Sequence, residues 1–424
     1  MKLQELRNYC EGIEFKDWAL KLYGSDFSKN QASRYKKAIS KFESLYPNNQ
    51  EGHLFSASGR IEVSGNHTDH QLGSVIAAAI HLDTIAVVSK NEDNIIRVHA
   101  EGYDIKEVNL NDLSIIESEY FTSMALIRGI AKQVKELTNK VGGFDAYITS
   151  DVFSGSGLSS SASFEVLITE ILNQLYAEGQ LSRTQLAQIS QYAENNYFNK
   201  PCGLMDQMAI AQGNFCFIDF YNKENPEVIP LKSNDLLDGY TICLLQTGGS
   251  HADLSHAYAQ ITEDLKAVSK HFNEAYLSRV DEEAFREQLS VLNEKLPTRA
   301  LLRAHHYYEE IKRVQNIRIA ILENDIENFK KGLIESGYSS YMYLQNIMHP
   351  TSDKQPLALA LALAEEQLRN TGAWRVHGGG FGGTILMIVP NENVQLLKSI
   401  LEDVYGENNF IPVHIRPIGV TQII

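Results

Sequence analysis

The sequence predicts an α+β protein of two lobes, with mixed sheets and helices. Strand-like segments alternate with helices over the first half of the 424 residues, a mainly helical stretch follows, and strands return near the C-terminus. At roughly 150 residues per domain, this length fits two domains. We place the boundary near residue 220, which gives an N-terminal domain over residues 1–220 and a C-terminal domain over residues 221–424.

The elements of the first half follow from the local pattern. The first fifty residues have a helical pattern with sparse apolar positions. Strands are then expected at 59–63, 85–89 and 95–99, because the apolar spacing shifts there and the turn-forming run Asn91-Glu92-Asp93-Asn94 separates the last two. A helix is predicted over 124–137 and a strand over 144–150.

The second half begins with a strong helical signal. Between residues 164 and 175, apolar side chains recur three and four positions apart, which is typical of one buried helix face. A helix near 186–196 and strands at 215–220 and 240–246 follow. Beyond residue 248 the pattern is mainly helical until about residue 373, and strands are expected at 384–389 and 413–417.

The composition excludes several functional classes. The chain carries 38 Lys and Arg against 53 Asp and Glu, a formal net charge of −15, so binding to nucleic acid or to anionic membranes is not expected. The four cysteines are too scattered for a disulfide framework, and no apolar run suits a signal peptide or a membrane span. We therefore expect a cytoplasmic protein. An anionic small substrate stays possible, because backbone N–H groups and a metal ion can bind phosphate locally.

A glycine- and serine-rich segment at residues 154–161, SGSGLSSS, precedes the helical signal at 164–175. A loop of this kind presents unpaired N–H groups at a helix N-terminus and is a general anion site, although a flexible capped turn has a similar composition. The segment is not a Walker A motif, because no G-x-x-x-x-G-K-[ST] occurs. The glycine cluster at 378–383 matches G-x-G-x-x-G but precedes a strand, so we reject a dinucleotide site there.

Two further segments concentrate polar groups. In the segment 59–70, GRIEVSGNHTDH, an aspartate such as Asp69 can accept hydrogen bonds from two neighbouring hydroxyls, which suits a sugar. His67 and His70 lack further ligands at metal-site spacing, and a polar turn is the alternative. In the segment 193–207, AENNYFNKPCGLMDQ, Glu194 and Asp206 suit a Mg²⁺ ligand and a base or electrostatic anchor, although two surface acids would have the same pattern.

Taken together, these segments resemble the galactokinases of the GHMP small-molecule kinases. The first resembles their signature G-R-V-N-L-I-G-E-H-T-D-Y, the loop resembles G-L-S-S-S-A, the third matches A-E-x-x-Y-x-x-x-P-C-G-x-M-D-Q, and residues 378–383 match G-G-G-F-G-G. The motifs run in family order from about residue 42 to residue 389. The resemblance implies a GHMP kinase fold, with the active site in the cleft between the lobes.

The resemblance also implies an ATP-dependent sugar 1-kinase that converts galactose to galactose 1-phosphate with ATP and Mg²⁺. Asp206 and Arg60 would be catalytic, with Asp206 at the anomeric hydroxyl and Arg60 at the transferring phosphoryl group, while Ser161 and Glu194 would bind Mg²⁺. The triphosphate loop would consist of Gly155, Ser156, Gly157, Leu158, Ser159, Ser160 and Ser161. The sugar would be bound by Asn66, His67, Asp69, Asp206, Tyr258 and Gly380. We expect a monomer whose partners are small molecules.

One departure from the signature leaves the substrate open. Asn66 stands where the family has a glutamate near the C6 hydroxyl of the sugar, and His70 stands where the family has a tyrosine. An amide in place of a carboxylate removes a negative charge and adds two donors, so a galacturonokinase or a kinase of another C6-modified hexose is the alternative. A non-catalytic sugar sensor is a further alternative, and the complete set of motif residues argues against it.

Overall fold

The computed structural model describes residues 1–152, 157–232, 235–248 and 254–424. Helices and strands are mixed along the chain, and the predicted α+β class is confirmed. The helices are α1 Leu3–Tyr9, α2 Ile13–Phe27, α3 Gln31–Leu45, α4 Ser123–Thr138, α5 Ser160–Tyr176, α6 Arg183–Asn196, α7 Met205–Gln212, α8 Ser255–His271, α9 Glu282–Glu287, α10 Leu289–Lys295, α11 Thr298–Glu323, α12 Ile326–Ser339, α13 Pro356–Leu368 and α14 Val394–Tyr405. The strands are β1 His53–Ser64, β2 Ser74–Lys90, β3 Ile95–Ala100, β4 Lys106–Asn109, β5 Phe144–Ser150, β6 Phe215–Asp219, β7 Glu227–Leu231, β8 Tyr240–Gln246, β9 Ala373–His377, β10 Thr384–Pro390, β11 Phe410–Val413 and β12 Thr421–Gln422.

The chain divides into two compact units, each built from separate stretches of sequence. Unit 1 contains Met1–Arg60, Ala78–Asn214 and His414–Ile424, and unit 2 contains Ile61–Ala77 and Phe215–Val413. The division into domains 1–220 and 221–424 stays a prediction.

Unit 1 is a sheet covered by helices. Its strands follow the order β12-β1-β2-β5-β3-β4; β2 and β5 are antiparallel, and β3 and β5 are parallel. The N-terminal helices α1–α3 pack against the sheet of this unit and form one hydrophobic cluster with it. Phe15, Tyr35 and Phe42 in this cluster are completely buried or nearly so. The predicted helical N-terminus is therefore confirmed, and it is packed more densely than its sparse apolar pattern indicated.

Unit 2 combines strands with the long helical stretch. One sheet has the order β11-β8-β10-β9, and its antiparallel pairing sets Thr384 opposite both Gln246 and His377. Strands β6 and β7 form an antiparallel pair, and β6 also pairs with β2. Helices α8 to α13 supply the predicted helical region. Among the described helices, none combines the length and the apolar composition needed to cross a membrane.

The predicted strand at 413–417 is wrong. Strand β11 ends at Val413, and the following residues form one isolated bridge, between Ile415 and Ile80. Arg416 is completely buried there, and its guanidinium donates to Ser56 and lies 3.3 Å from the Asp83 carboxylate. This buried ion pair draws the segment away from a regular ladder, which a hydrophobic pattern cannot indicate.

Candidate active site

Arg60 and Asp206 meet in unit 1. Arg60 lies on β1 and Asp206 in the first turn of α7. Arg60 donates from Nε to Oδ1 and from Nη2 to Oδ2 of Asp206, both at 2.7 Å, while its Nη1 donates to the carbonyl of Gly157. This two-point geometry fixes both planar groups, and it joins the two predicted catalytic residues to the predicted phosphate loop.

The phosphate loop leads directly into helix α5. Ser159 precedes the helix with a left-handed backbone, φ 61°, and its hydroxyl donates to Oδ2 of Asp206. Ser160 and Ser161 occupy the first turn, where backbone N–H groups have no partner within the helix and favour an anion. Leu158 is buried, and its carbonyl accepts from the Arg60 backbone N–H at 3.1 Å. Gly155 and Ser156, also predicted for this loop, lie outside the described residues.

Glu194 belongs to a buried group of side chains that the sequence prediction covered only in part. The amide nitrogen of Gln207 donates to Glu194 at 2.9 Å and to Glu165 at 3.1 Å, and Lys200 pairs with the other oxygen of Glu194 at 2.8 Å. Burial, reinforced by the Glu194 carboxylate, raises the pKa of Glu165 well above its usual value. The sequence prediction did not include Glu165, because a single acid inside a helical pattern carries no distinguishing signal. It included Gln207 only as the last residue of the segment 193–207, without a role.

This group provides the oxygen donors that a magnesium ion prefers. Oε1 of Glu165 and Oε1 of Gln207 are buried without a hydrogen-bond partner among the described residues, and such atoms are costly unless a cation or water meets them. Ser161 is exposed one turn before Glu165 on the same helix face. The residues present therefore fit a Mg²⁺ site with two carboxylates, Glu165 and Glu194. A site with three or more His, Cys, Asp or Glu ligands does not occur within the described residues.

The predicted sugar residues of unit 2 hold the glycine loop 378–383. Asn66 donates to the carbonyl of Gly378 at 2.6 Å, a ring nitrogen of His67 lies 2.9 Å from the carbonyl of Gly379, and the Tyr258 hydroxyl donates to the carbonyl of Gly380 at 2.9 Å. Three successive carbonyls of the loop are thus fixed by three predicted sugar-binding side chains. The loop needs glycine at 380, where φ is +85° and an added Cβ would lie 2.1 Å from the Asn346 carbonyl oxygen.

The turn that carries Asn66 and His67 is anchored from beneath. Glu310 on α11 is completely buried and accepts from the backbone N–H of Gly65 at 3.0 Å. A ring nitrogen of His306, one turn earlier, lies 3.0 Å from the carbonyl of Asn66, and burial lowers the pKa of this histidine to about 4. Asp69 begins the short helical turn Asp69–Gln71 and is partly buried. Sequence reasoning assigned no role to Glu310 and His306, because the backbone groups of Gly65 and Asn66 that they contact are more than 200 positions away in the chain.

Comparisons with known proteins match the two segments that carry Arg60 and Asp206. A family model described as "GHMP kinases N terminal domain" matches residues 125–214, which include Ser159 and Asp206, and one described as "Galactokinase galactose-binding signature" matches residues 40–90, which include Arg60 and Asn66. A galactokinase of Actinobacillus pleuropneumoniae is 31% identical over 362 residues, covering 84% of this chain and 90% of that protein. A galactokinase of Clostridium tetani is 27% identical over 362 residues, covering 83% and 88%.

Solved structures support the fold. The structure of Lactococcus lactis galactokinase complexed with galactose matches with a TM-score of 0.77 at 24% identity, covering 90% of this chain and 98% of that one. The mevalonate kinase of Methanococcus jannaschii matches with a TM-score of 0.63 at 14% identity, covering 86% and 98%. At these identities the two structures speak for the fold alone.

Proposed function

The chain belongs to the galactokinase family of the GHMP kinases, and we propose that it transfers the γ-phosphoryl group of ATP to the anomeric hydroxyl of galactose. The observation that carries this proposal is the contact between Asp206, Arg60 and Ser159. It joins an acid suited to a sugar hydroxyl, a cation suited to a phosphoryl group and the end of the phosphate loop that enters helix α5.

The chemistry proposed for these groups is positioning and charge stabilisation. In the reaction, O1 of the sugar forms a bond to the γ-phosphorus and gives up its proton to solvent, directly or through Asp206, while the bond between that phosphorus and the β–γ bridging oxygen breaks and ADP leaves. Asp206 accepts a hydrogen bond from the anomeric hydroxyl and so orients O1 toward the phosphorus. Arg60, which is 7% exposed, offsets the negative charge that spreads over the phosphoryl oxygens in a loose transition state.

The nucleotide side of the proposal rests on helix α5. Gly157, Leu158, Ser159, Ser160 and Ser161 would surround the phosphates of ATP, whose charge the helix N-terminus attracts. Ser161 and Glu194, with Glu165 beside them, would hold Mg²⁺. When bound, the ion neutralises the charge of the β- and γ-phosphates.

The sugar side rests on unit 2. We propose that His67, Asp69, Tyr258 and Gly380 contact the sugar hydroxyls directly. Asn66 would act through the loop that it holds, because its own amide is completely buried. We further propose a cytoplasmic monomer without nucleic-acid or membrane partners, for which the negative net charge is the support.

A coupled assay of ADP release tests the proposal. The purified chain is given ATP, Mg²⁺ and one of galactose, galacturonate or N-acetylgalactosamine, and ATP hydrolysis without sugar is the control. We expect turnover that depends on galactose. The absence of turnover with every hexose would contradict a kinase activity, and sugar and ATP binding without product would point to a sensor.

A further inference from the structure

Two positions of the signature have exchanged their residue types in this chain. The signature G-R-V-N-L-I-G-E-H-T-D-Y places an amide at the position of Glu62 and a carboxylate at the position of Asn66. Here the carboxylate comes first and the amide second. The pair as a whole keeps one amide and one negative charge. The glutamate that is absent at position 66 is present at position 62 instead.

The two exchanged side chains touch each other. Asn66 donates from Nδ2 to Oε1 of Glu62 at 2.9 Å, and it uses its other amide hydrogen for the carbonyl of Gly378 at 2.6 Å. Its carbonyl oxygen accepts from Asn346 at 2.8 Å. Asn66 is completely buried, so the hydrogen-bonding capacity of its amide is committed within unit 2.

The carboxylate at position 62 is balanced by a buried arginine. Nη2 of Arg375 lies 3.0 Å from Oε1 of Glu62, and the side chains of the two residues are 0% and 7% exposed. Arg375 also donates to the carbonyls of Val63 at 2.5 Å and Val376 at 2.9 Å. A buried guanidinium requires a nearby anion, so the negative charge of this pair is needed for stability whichever position carries it.

We propose that Glu62 and Asn66 are one coupled exchange, and that it keeps the acceptor a neutral hexose instead of a uronate. A C6 carboxylate needs free donors, but both amide hydrogens of Asn66 are already used. It would also approach the Glu62 carboxylate, which lies next to that amide, and like charges repel. The choice of sugar class rests on the proposed kinase function, whereas the coupling of the two residues does not.

A double-mutant cycle tests the coupling. The variants are Glu62→Asn, Asn66→Glu and the double variant that restores the order of the signature, and the measurements are the thermal unfolding midpoint and the KM for galactose and galacturonate. Glu392→Asn and Asn316→Glu, which make the same changes at exposed positions of unit 2, are the controls. The cycle needs no bound ligand for its stability measurement.

We expect each single variant to lower the unfolding midpoint by roughly 5 °C or more, because one removes the carboxylate that is paired with the buried Arg375 and the other sets two carboxylates side by side. The double variant should recover most of that loss and retain preference for galactose. Additive losses in the double variant would overturn the coupling. A lower KM for galacturonate than for galactose in the unaltered protein would overturn the sugar class. Coupling without turnover of any hexose would leave the pair intact and refute the kinase function.

Discussion

Arg60 holds Asp206 through two parallel hydrogen bonds of 2.7 Å, and Ser159 donates to the same carboxylate from the end of the phosphate loop. Arg60 and Asp206 are more than 140 positions apart in the sequence. Strand β1, helix α5 and helix α7 bring them together within unit 1. The carboxylate is thereby fixed in orientation, which is what a group that positions a hydroxyl requires.

Replacing Asp206 by Asn is expected to lower kcat by about 100- to 10,000-fold while leaving the dissociation constant for MgADP unchanged. The amide keeps the size of the side chain, but it has one oxygen where the carboxylate has two. It therefore cannot accept all the hydrogen bonds that Arg60 and Ser159 donate to Asp206. Steady-state kinetics and calorimetry measure the two effects. Asp403→Asn, the same change at an exposed position of α14, is the control. A rate close to that of the unaltered protein would refute the role given to Asp206.

Replacing Lys200 by Met is expected to make thermal stability depend more strongly on Mg²⁺. Lys200 pairs with Glu194 at 2.8 Å and is the counter-ion of this buried carboxylate when no metal is present. Without it, the unfolding midpoint in EDTA should fall, and added Mg²⁺ should restore more stability than it gives the unaltered protein. Lys132→Met removes an exposed pair on the surface of helix α4, with Glu136, and should show neither effect. An equal response to Mg²⁺ in both proteins would argue against metal binding at Glu194.

Replacing Tyr258 by Phe is expected to raise the KM for the sugar about two- to tenfold, with a small effect on kcat. The change removes the hydroxyl that donates to the carbonyl of Gly380, and a hydrogen bond of this kind contributes about 1 kcal/mol. Tyr338→Phe, which removes a hydroxyl bound to Glu365 at the surface, is the control. An unchanged KM in Tyr258→Phe would show that this bond does not shape the sugar site.

Asp83 is expected to be a main determinant of stability in unit 1. It is completely buried and accepts from Tyr23 at 2.7 Å and from Arg34 at 2.5 Å, and it pairs with Arg416. Asp83→Asn leaves the buried Arg416 guanidinium without its anion and leaves Arg34 with Asp151 alone, so we expect a loss of roughly 3–5 kcal/mol in the free energy of unfolding. Asp93→Asn, which alters an exposed pair, should cost at most about 1 kcal/mol. Urea unfolding measures both values.

The buried carboxylate of Asp83 is expected to make the stability of the fold depend on pH. Burial by itself raises the pKa of Asp83, but Arg34, Arg416 and the Ser56 hydroxyl more than offset this effect and hold the pKa below its usual value. The ionised form is therefore favoured in the folded state. Its contribution to stability is complete above the unfolded pKa of about 3.9 and is lost as the pH falls through the lower folded value. Urea midpoints measured between about pH 6 and pH 3 should fall less steeply in Asp83→Asn than in the unaltered protein.

Local patterns predicted much of the fold. The helix predicted at 124–137 is Ser123–Thr138, and the strand predicted at 240–246 is Tyr240–Gln246, because both are bounded by clear changes in periodicity. The strand predicted at 85–89 is the end of the much longer Ser74–Lys90, whose earlier residues are almost continuously buried. A strand buried on both faces has no alternation, so its length cannot be read from a period of two.

The candidate site was predictable only where a motif carries it. Arg60, Glu194 and Asp206 came from motifs, and the contact between Arg60 and Asp206 joins two of those motifs in space. Glu165 and Arg375 did not, since each gains its importance from a buried partner that lies far away in the sequence. Asn66 was expected to contact the sugar, yet its amide is used inside unit 2. The contact that explains its identity, with Glu62, depends on how the strand end turns at Gly65, where φ is +100°.

The most direct measurement is the ³¹P NMR spectrum of the product formed from galactose, ATP and Mg²⁺. The account predicts a sugar phosphate whose phosphorus couples to the single anomeric proton, together with ADP, and it predicts that this signal grows at least about 100-fold more slowly with Asp206→Asn. A phosphorus signal split by the two protons of C6 would show that another hydroxyl is the acceptor. That result, or the absence of any sugar phosphate, would contradict the assignment of Asp206 and Arg60 to phosphoryl transfer at the anomeric oxygen.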